Sequence, residues 1–400
     1  MGLRPAAVAV LVLLVPAGTA SAAHRAAANW AAPQIRTVLA HGLMGGAAAG
    51  PFRPQSPLTR QALADLAFGL DEVLAPPAPV ELAPPADTTT DPAATGETAT
   101  DPVTTDTAAT DPAATTPAPA EPAVPAQPPA VTRPTAGVSM ATLDARLVSA
   151  LGLSGAAAEF ARSANEAGIP VPGRFGTEVV ARLVGLRTNH PAALDGLELL
   201  PNDPATRAEA AYSAAQILGF GWLGNGWQTA AAQSLADSFA LPQLDAWQRR
   251  ILAVAFSKVG MPYIWGGTSD GREAPFGVDS RGGYDCSGFV WRVYKLQSYP
   301  GERGLASTLR GRTTYEMSVE VGPSERIHFA QLQPADVIFF GAHGRASSSA
   351  EVDHMGIYVG NGWFVHSSGY GVALAQLTGW YRQQFAWGRR PLQEAGLRAG

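Results

Sequence analysis

The chain has 400 residues, of which 43 are glycine, 33 are proline, 15% are charged and only one is cysteine, and its formal net charge is −5. A single cysteine excludes an internal disulfide and a zinc site built from several cysteines. A charge so close to neutrality gives no reason to expect nucleic acid or an anionic membrane as a partner, and the length predicts two or three domains.

Residues 1–22 have the pattern of a secretory signal peptide. Arg4 provides a short positive start, residues 6–15 are apolar, and residues 20–22 read Ala-Ser-Ala. An apolar stretch this short cannot cross a bilayer, and small residues behind it are typical of a cleavage site. We therefore expect cleavage after about Ala22 and a secreted mature protein without a transmembrane segment.

A repeated pattern lies on either side of the middle of the chain. Residues 52–60 and 199–207 share two prolines, a threonine and an arginine in the same register, and an alanine-rich stretch follows each. Thr59 and Thr206 are placed to cap the first turns of the helices that follow. Upstream of the first copy, the apolar residues within 30–39 also have helical spacing.

This order of helix, loop, Thr-Arg and helix resembles the S-layer homology module. The likeness is closer over residues 24–74 than over residues 138–220, where residues 138–153 resemble the end of a further, degenerate copy. It implies small α-helical modules that bind a secondary wall polysaccharide, with Arg60 and Arg207 as contacts, since a planar, permanently charged guanidinium suits anionic saccharides. In the alternative interpretation, both arginines only pair with a helix carboxylate.

Residues 75–137 have the composition of a solvated linker. They hold 15 of the 33 prolines and no Phe, Tyr or Trp, and eight acidic residues against one arginine give the segment a charge of −7. Such a segment cannot bury enough apolar surface to offset its conformational entropy, and proline keeps it extended. We therefore predict a disordered Pro/Thr/Ala-rich linker between the helical modules.

From about residue 245 the sequence is rich in aromatic residues, and it contains the single cysteine. Cys286 precedes apolar residues with helical spacing, which places it in the first turn of a predicted helix with Asp285 as N-cap. Free N–H groups at a helix start and a nearby imidazolium favour the thiolate. In the alternative interpretation, Cys286 is a small buried apolar residue.

Two histidines flank a predicted β-hairpin. His354 opens one strand, residues 360–362 are a turn signal, and His366 ends the return strand. A three-residue loop places both imidazoles on one face, whereas a two-residue turn separates them, so we predict the three-residue loop. Cys286 is then the nucleophile, His354 the general base and later acid, and His366 the group that holds the His354 ring. The competing interpretation is a metal site formed by His354, His366 and Asp353.

An ordered set of motifs resembles the NlpC/p60 family of papain-like cell-wall peptidases, over about residues 245–392. The likeness implies an α+β fold in which a helix bearing the cysteine packs on an antiparallel sheet that carries both histidines. It implies a cysteine endopeptidase that hydrolyses peptidoglycan stem peptides, usually at the D-γ-glutamyl–diamino acid bond, with no metal and no cofactor. By the same likeness, Tyr263 assists the oxyanion, and Asp285 and Ser287 bind the stem peptide. The motifs are residues 260–267, 285–289, 312–314, 332–340, 354–362 and 366.

Two positions depart from the family pattern. Ala335 stands where glycine is usual, and residues 269–281 form a longer segment than in the shortest members, so the cleaved bond stays open. An amidase or acyltransferase on the same fold, and a non-catalytic wall-binding envelope protein, are the alternative functions. The preferred hypothesis is an exported peptidoglycan endopeptidase that is associated with the cell wall.

Overall fold

The computed structural model describes residues 30–45, 51–75 and 131–397. The predicted signal peptide and residues 76–130 of the predicted linker lie outside these ranges. Within them, no helix combines the length and the apolar composition needed to cross a membrane.

The first part of the described chain is helical. Thr59, Ser139 and Thr206 each accept a hydrogen bond from the backbone N–H three residues on, which confirms the predicted caps at Thr59 and Thr206. The helices are α1 (Ala32–Ala40), α2 (Arg60–Leu74), α3 (Met140–Ala150), α4 (Ser154–Glu166), α5 (Phe175–Leu183), α6 (Arg207–Ser238) and α7 (Ala246–Ser257).

The three loops that precede α2, α3 and α6 form a closed ring of backbone hydrogen bonds. The Leu58 N–H donates to the Ala205 carbonyl (2.8 Å), the Ala205 N–H to the Val138 carbonyl (2.8 Å), and the Val138 N–H to the Leu58 carbonyl (3.0 Å). All three side chains are buried. Residues 131–137 belong to one of these loops, which corrects their assignment to the disordered linker, because their backbone groups pair within the ring.

The C-terminal part contains a five-stranded antiparallel sheet in the order β6-β5-β4-β3-β7 and a separate pair formed by β1 and β2. Alternate residues of β3 face two different cores: Val337 and Phe339 join the main core, whereas Ile338 and Phe340 join a smaller cluster on the opposite face. The strands are β1 (Thr268–Ser269), β2 (Gly283–Tyr284), β3 (Val337–Gly341), β4 (Val352–Gly360), β5 (Trp363–Ser368), β6 (Gly371–Gln376) and β7 (Phe385–Arg389).

Short helices surround this sheet, and α8 packs against β4 and β5. The predicted α+β arrangement, in which the helix that bears the cysteine lies on an antiparallel sheet, is confirmed. These helices are α8 (Cys286–Trp291), which continues as a π-helical turn over Arg292–Leu296, α9 (Leu305–Thr308), α10 (Thr314–Val319), α11 (Gly379–Gln384) and α12 (Pro391–Glu394).

The β4–β5 hairpin has the predicted register but a different turn. Tyr358 pairs with Phe364, which is the register that a three-residue loop requires. The turn itself consists of Asn361 and Gly362, both with positive φ, so the predicted three-residue loop is wrong. A β-bulge at Val359 adds one residue to β4, and this insertion moves the rest of the strand by one position. The two histidines therefore share one face.

Ala335, where the family pattern has glycine, adopts a left-handed conformation with φ of +69° just before β3. This conformation costs an L-residue about 1–2 kcal/mol, whereas glycine adopts it freely. Two hydrogen bonds hold it in place: the Ala335 N–H donates to the Tyr358 carbonyl, and the Tyr294 hydroxyl donates to the Ala335 carbonyl. The substitution therefore leaves the turn intact at an energetic cost.

Aromatic side chains join the helical part to the sheet in one continuous core. Trp363 of β5 contacts Phe160 of α4 and Phe239 after α6 edge-on, with ring centroids 5.8 and 5.2 Å apart. Phe175 of α5 stacks on Phe256 of α7 at 5.0 Å. The described residues before residue 76 and after residue 130 consequently belong to one compact unit.

Candidate active site

Cys286 is the first residue of α8, as predicted, and Asp285 is its N-cap. The Asp285 carboxylate accepts hydrogen bonds from the Gly288 N–H and, at 3.0 Å, from the Ser287 hydroxyl. The start of α8 sits so close to the preceding turn that a Cβ at Gly288 would lie 1.9 Å from the Gly267 carbonyl oxygen. Only glycine fits this approach, and it fixes the sulfur at the surface of the sheet.

Arg312 ties this turn to the segment before α10. Its guanidinium donates to the Ser287 hydroxyl (2.7 Å), to the Gly266 carbonyl (3.0 Å) and to both Asp285 oxygens (3.2 and 3.3 Å). Sequence reasoning assigned no role to Arg312. The predicted substrate-binding residues Asp285 and Ser287 thus lie together beside the cysteine, and they are already engaged with one another and with Arg312.

The two histidines form the predicted pair. His354 Nε2 lies 2.7 Å from His366 Nδ1, and His366 Nε2 lies 3.5 Å from the Tyr381 hydroxyl. A consistent arrangement of protons has His354 Nε2–H donating to His366 Nδ1, and His366 Nε2–H directed at Tyr381. His354 Nδ1 then keeps a lone pair, and it is the ring nitrogen that remains to accept a proton from Cys286. The sulfur lies 4.0 Å from the carbonyl oxygen of Asp353, directly before His354.

Burial keeps this group of residues neutral. It lowers the pKa of His354 to about 4, and burial together with the charge of His354 brings the pKa of His366 well below its usual value. The phenyl rings of Phe340 and Phe364 cover the two imidazoles. Burial also raises the pKa of the Cys286 thiol, although hydrogen bonds from Thr314 and two backbone N–H groups oppose it. Burial thus opposes the preference for a thiolate that the helix start predicts, and the direction of both pKa shifts favours a neutral thiol and a neutral imidazole in the resting state.

Burial raises the pKa of Tyr263, and a thiolate charge on the nearby Cys286 raises it further. Its hydroxyl is thus protonated at neutral pH and able to donate. Asn189, from the loop between α5 and α6, holds the Tyr263 backbone on both sides: its side-chain NH₂ donates to the Tyr263 carbonyl, and its side-chain oxygen accepts from the Tyr263 N–H at 3.2 Å. In the same loop, Asp195 accepts a hydrogen bond from the Trp265 N–H at 3.4 Å.

The two candidate wall-binding arginines have different surroundings. Arg60 is exposed at the start of α2, whereas Arg207 is half-buried and donates to the Met44 carbonyl at 2.7 Å, with its guanidinium 4.6 Å from the centre of the Phe52 ring. Among the described residues, neither guanidinium pairs with a carboxylate. Polymer binding by either one stays a prediction.

Asp353, the third member of the alternative metal site, is exposed at the edge of β4. Within the described ranges, no group of three or more His, Cys, Asp or Glu side chains is arranged to hold a metal ion. The two histidines are instead hydrogen-bonded to each other.

The sequence of this region matches the NlpC/P60 family over residues 260–390, and residues 25–64 match the S-layer homology domain. The chain carries an NlpC/P60 domain. Cys286, His354 and His366 all lie within this domain, and the cysteine helix and the five-stranded sheet are its two structural layers.

Known proteins are similar to part of the chain. The murein DD-endopeptidase MepH of Escherichia coli is 32% identical over 171 residues, which are 41% of this chain and 52% of the relative. The probable peptidoglycan endopeptidase LytE of Bacillus subtilis is 30% identical over 33% of this chain and 30% of its own length. A solved NlpC/P60 family protein from Bacillus cereus is 26% identical over 39% of this chain and 43% of that chain, with a TM-score of 0.28. The chain thus spans about half of the first relative and less of the others.

Proposed function

We propose that this protein is a cysteine endopeptidase that hydrolyses the stem peptides of peptidoglycan, with residues 245–392 as the catalytic part. The observation that carries the proposal is a buried cysteine at a helix start beside the hydrogen-bonded pair of His354 and His366, 2.7 Å apart. Similarity to two proteins named as peptidoglycan or murein endopeptidases supports the substrate class. The finer proposal is cleavage of the D-γ-glutamyl–diamino acid bond, and a relative named γ-D-glutamyl-L-lysine dipeptidyl-peptidase supports it at 23% identity.

The reaction begins from the neutral pair. His354 Nδ1 takes the thiol proton as the sulfur attacks the stem-peptide carbonyl, so charge appears on the sulfur only when substrate is present. The backbone N–H of Cys286 and the Tyr263 hydroxyl stabilise the oxyanion. The protonated His354 then delivers its proton to the leaving amine, and water hydrolyses the acyl-enzyme. The roles of His366 and Tyr381 are to hold the His354 ring and its proton arrangement.

We also propose that residues 24–74 and 138–220 associate the protein with the cell wall, with Arg60 and Arg207 contacting an anionic wall polysaccharide. The match to the S-layer homology domain over residues 25–64 supports this location. The exposed position of Arg60 suits such a contact, because a planar guanidinium binds carboxylate or phosphate groups with two parallel hydrogen bonds.

Digestion of purified peptidoglycan by the full chain tests the main proposal, with mass spectrometry of the released fragments. Iodoacetamide-treated protein is the control, because Cys286 is the only cysteine in the chain and its alkylation blocks the nucleophile. We expect stem-peptide fragments with a new amine on the diamino acid from untreated protein only. Sugar–peptide cleavage would indicate the amidase alternative, and an absence of any fragment would support the non-catalytic alternative.

The pH dependence of kcat/KM should show an acid limb near pH 4. His354 has to be neutral to accept the thiol proton, and desolvation by the residues packed around it lowers its pKa to about 4. Activity on a soluble stem peptide should therefore be about the same at pH 5 and pH 7, and it should fall about tenfold per pH unit well below pH 4. Circular dichroism over the same range separates this titration from acid unfolding. An acid limb near the ordinary histidine pKa of about 6.5 would contradict a buried neutral base.

Asn189→Ala should lower kcat about tenfold with little change in KM. The variant removes both side-chain hydrogen bonds that hold the Tyr263 backbone, each worth about 1 kcal/mol, so Tyr263 loses its position beside the oxyanion. Steady-state kinetics on a soluble stem peptide measure the effect. The kcat of Asn189→Asp, which keeps the acceptor oxygen, should lie between those of the unsubstituted chain and Asn189→Ala. Asn202→Ala, at an exposed position in the helical part, is the matched control. An unchanged kcat in Asn189→Ala would show that Tyr263 is not held through this contact.

A further inference from the structure

The cysteine has a side-chain neighbour that no step above uses. The Thr314 hydroxyl lies 3.4 Å from Cys286 Sγ, within hydrogen-bond distance of a sulfur atom. Both side chains are buried, with 7% of Thr314 and 9% of Cys286 exposed. Within the part of the chain that the structure describes, the Thr314 hydroxyl makes no side-chain hydrogen bond other than this one to the Cys286 sulfur.

The position of Thr314 is fixed from three sides. Thr313 and Glu316 form a capping box at the start of α10, and Arg312 is held by the Asp285 carboxylate and the Ser287 hydroxyl. Farther along, the buried Arg389 donates to the carbonyl of Met317 in α10. A β-branched residue in a helix also has few rotamers. These contacts hold the backbone of Thr314 in the position from which its hydroxyl lies 3.4 Å from the sulfur.

A donor at this point matters when the proton leaves the sulfur. A hydroxyl can accept from the thiol in the resting state and donate to the thiolate after His354 has taken the proton, because its own hydrogen rotates freely. Hydrogen bonds to a charged partner contribute more than neutral ones, and more again at a buried site. Thr314 keeps its own proton throughout, so the only bond that breaks is the S–H bond of Cys286.

We propose that Thr314 is a further catalytic residue, whose hydroxyl donates a hydrogen bond to the Cys286 thiolate and so makes the buried thiol easier to deprotonate. This proposal rests on the proposed function of the same site. It assigns to the segment 312–314 two separate tasks: Arg312 fixes the turn that carries the cysteine, and Thr314 stabilises the charge on its sulfur.

The test is the pH dependence of Cys286 alkylation by iodoacetamide in the full chain, without substrate. In Thr314→Val, which keeps the shape but removes the hydroxyl, we expect the thiol midpoint to rise by about one to two pH units, from the strength of a charge-assisted hydrogen bond. Alkylation at neutral pH should be at least about tenfold slower, while the limiting rate at high pH is retained. Thr314→Ser, which keeps the hydroxyl, should match the unsubstituted chain.

Ser318→Ala is the matched control, because it removes a buried hydroxyl from the same helix, one that donates to the Tyr315 carbonyl. An unchanged midpoint in Thr314→Val, or an equal rise in Ser318→Ala, would overturn the proposal. Thermal unfolding confirms that each variant is folded, and Thr314→Ala replaces the valine variant if that one is not. Alkylation reports on the thiol alone, so this result stands apart from peptidoglycan digestion: a failed digestion with an intact midpoint shift would reject the proposed substrate but keep the role of Thr314.

Discussion

Replacing Cys286 with alanine is expected to reduce the release of stem-peptide fragments by a factor on the order of 10⁴ or more. The reason is that a nucleophile and its base act as a unit, and the loss of either removes covalent catalysis altogether. Fragment release from purified peptidoglycan, followed by mass spectrometry over time, measures the effect. Cys286→Ser should be nearly as inactive, because a hydroxyl is a much weaker acid than a thiol, and a base whose pKa is about 4 does not deprotonate it efficiently.

Two observations decide between this nucleophile and a cysteine that only fills space. If Cys286 were only a small buried residue, the alanine variant would lose some stability and keep its activity. We expect the reverse: a melting temperature within a few degrees of the unsubstituted chain, unchanged retention on purified cell walls, and no fragments. Full activity in Cys286→Ala would assign the chemistry to other residues and remove the basis for the proposed mechanism.

Replacing Arg187 with methionine is expected to lower the free energy of unfolding by about 3–5 kcal/mol, the usual cost of breaking a buried ion pair from one side. Arg187 lies between two carboxylates of the helical part, with its guanidinium 2.6 Å from Glu209 and 3.8 Å from Asp144. All three side chains are buried. Burial would raise the pKa of Glu209, but Arg187 and His190 lower it to about 2, so the carboxylate is charged. In the variant this buried charge loses Arg187 and keeps only His190 of these two partners.

Urea unfolding measures this change, and Arg162→Met is the matched control. Arg162 also sits near two carboxylates, Glu159 and Glu166, but its side chain is 55% exposed. Exposed pairs contribute little to stability because water screens them, so the control should unfold at nearly the same urea concentration as the unsubstituted chain. Adding Glu209→Gln to Arg187→Met should recover part of the loss, since the second change removes the stranded charge. Equal stability of the Arg187 and Arg162 variants would show that the buried cluster adds nothing.

Local patterns in the sequence predicted the parts of the site that depend on local geometry. Apolar spacing after Cys286 predicted α8 and its cap, and the Asn361–Gly362 turn signal predicted the hairpin that carries His354. The exact loop was predicted wrongly because a bulge at Val359 cannot be distinguished from a longer turn by alternation alone. Both give the same register, so the histidine pair was predicted correctly for a partly wrong reason.

The residues that sequence reasoning missed make contacts between distant parts of the chain. Thr314 is 28 residues from Cys286, and Asn189 is 74 residues from Tyr263. No periodicity or spacing rule connects such positions. The pKa of the cysteine depends on distant residues for a related reason: the helix start that favours a thiolate is visible in the sequence, but the burial that raises the thiol pKa comes from packing.

The loop at residues 131–137 was missed because its sequence signal is weak. Ser139 and Met140 stand where the other two copies have Thr-Arg, as at Thr206. The ring depends on backbone hydrogen bonds, which do not require particular side chains, so a degenerate copy still closes it. Structure in this segment is therefore preserved by pairing with its neighbours rather than by its own motif.

The ring of loops also determines what a single cut in the chain can do. Helices α1 and α2 precede residue 76, yet α1 packs against α6, and α2 packs against α3 and α6, which follow residue 130. A protease that hydrolyses one bond between residues 76 and 130 leaves two fragments that share a buried core and a closed set of hydrogen bonds. Such a nicked protein would run as two bands under denaturing conditions while behaving as one particle in its native state, with its first helices still attached to the part that holds the cysteine.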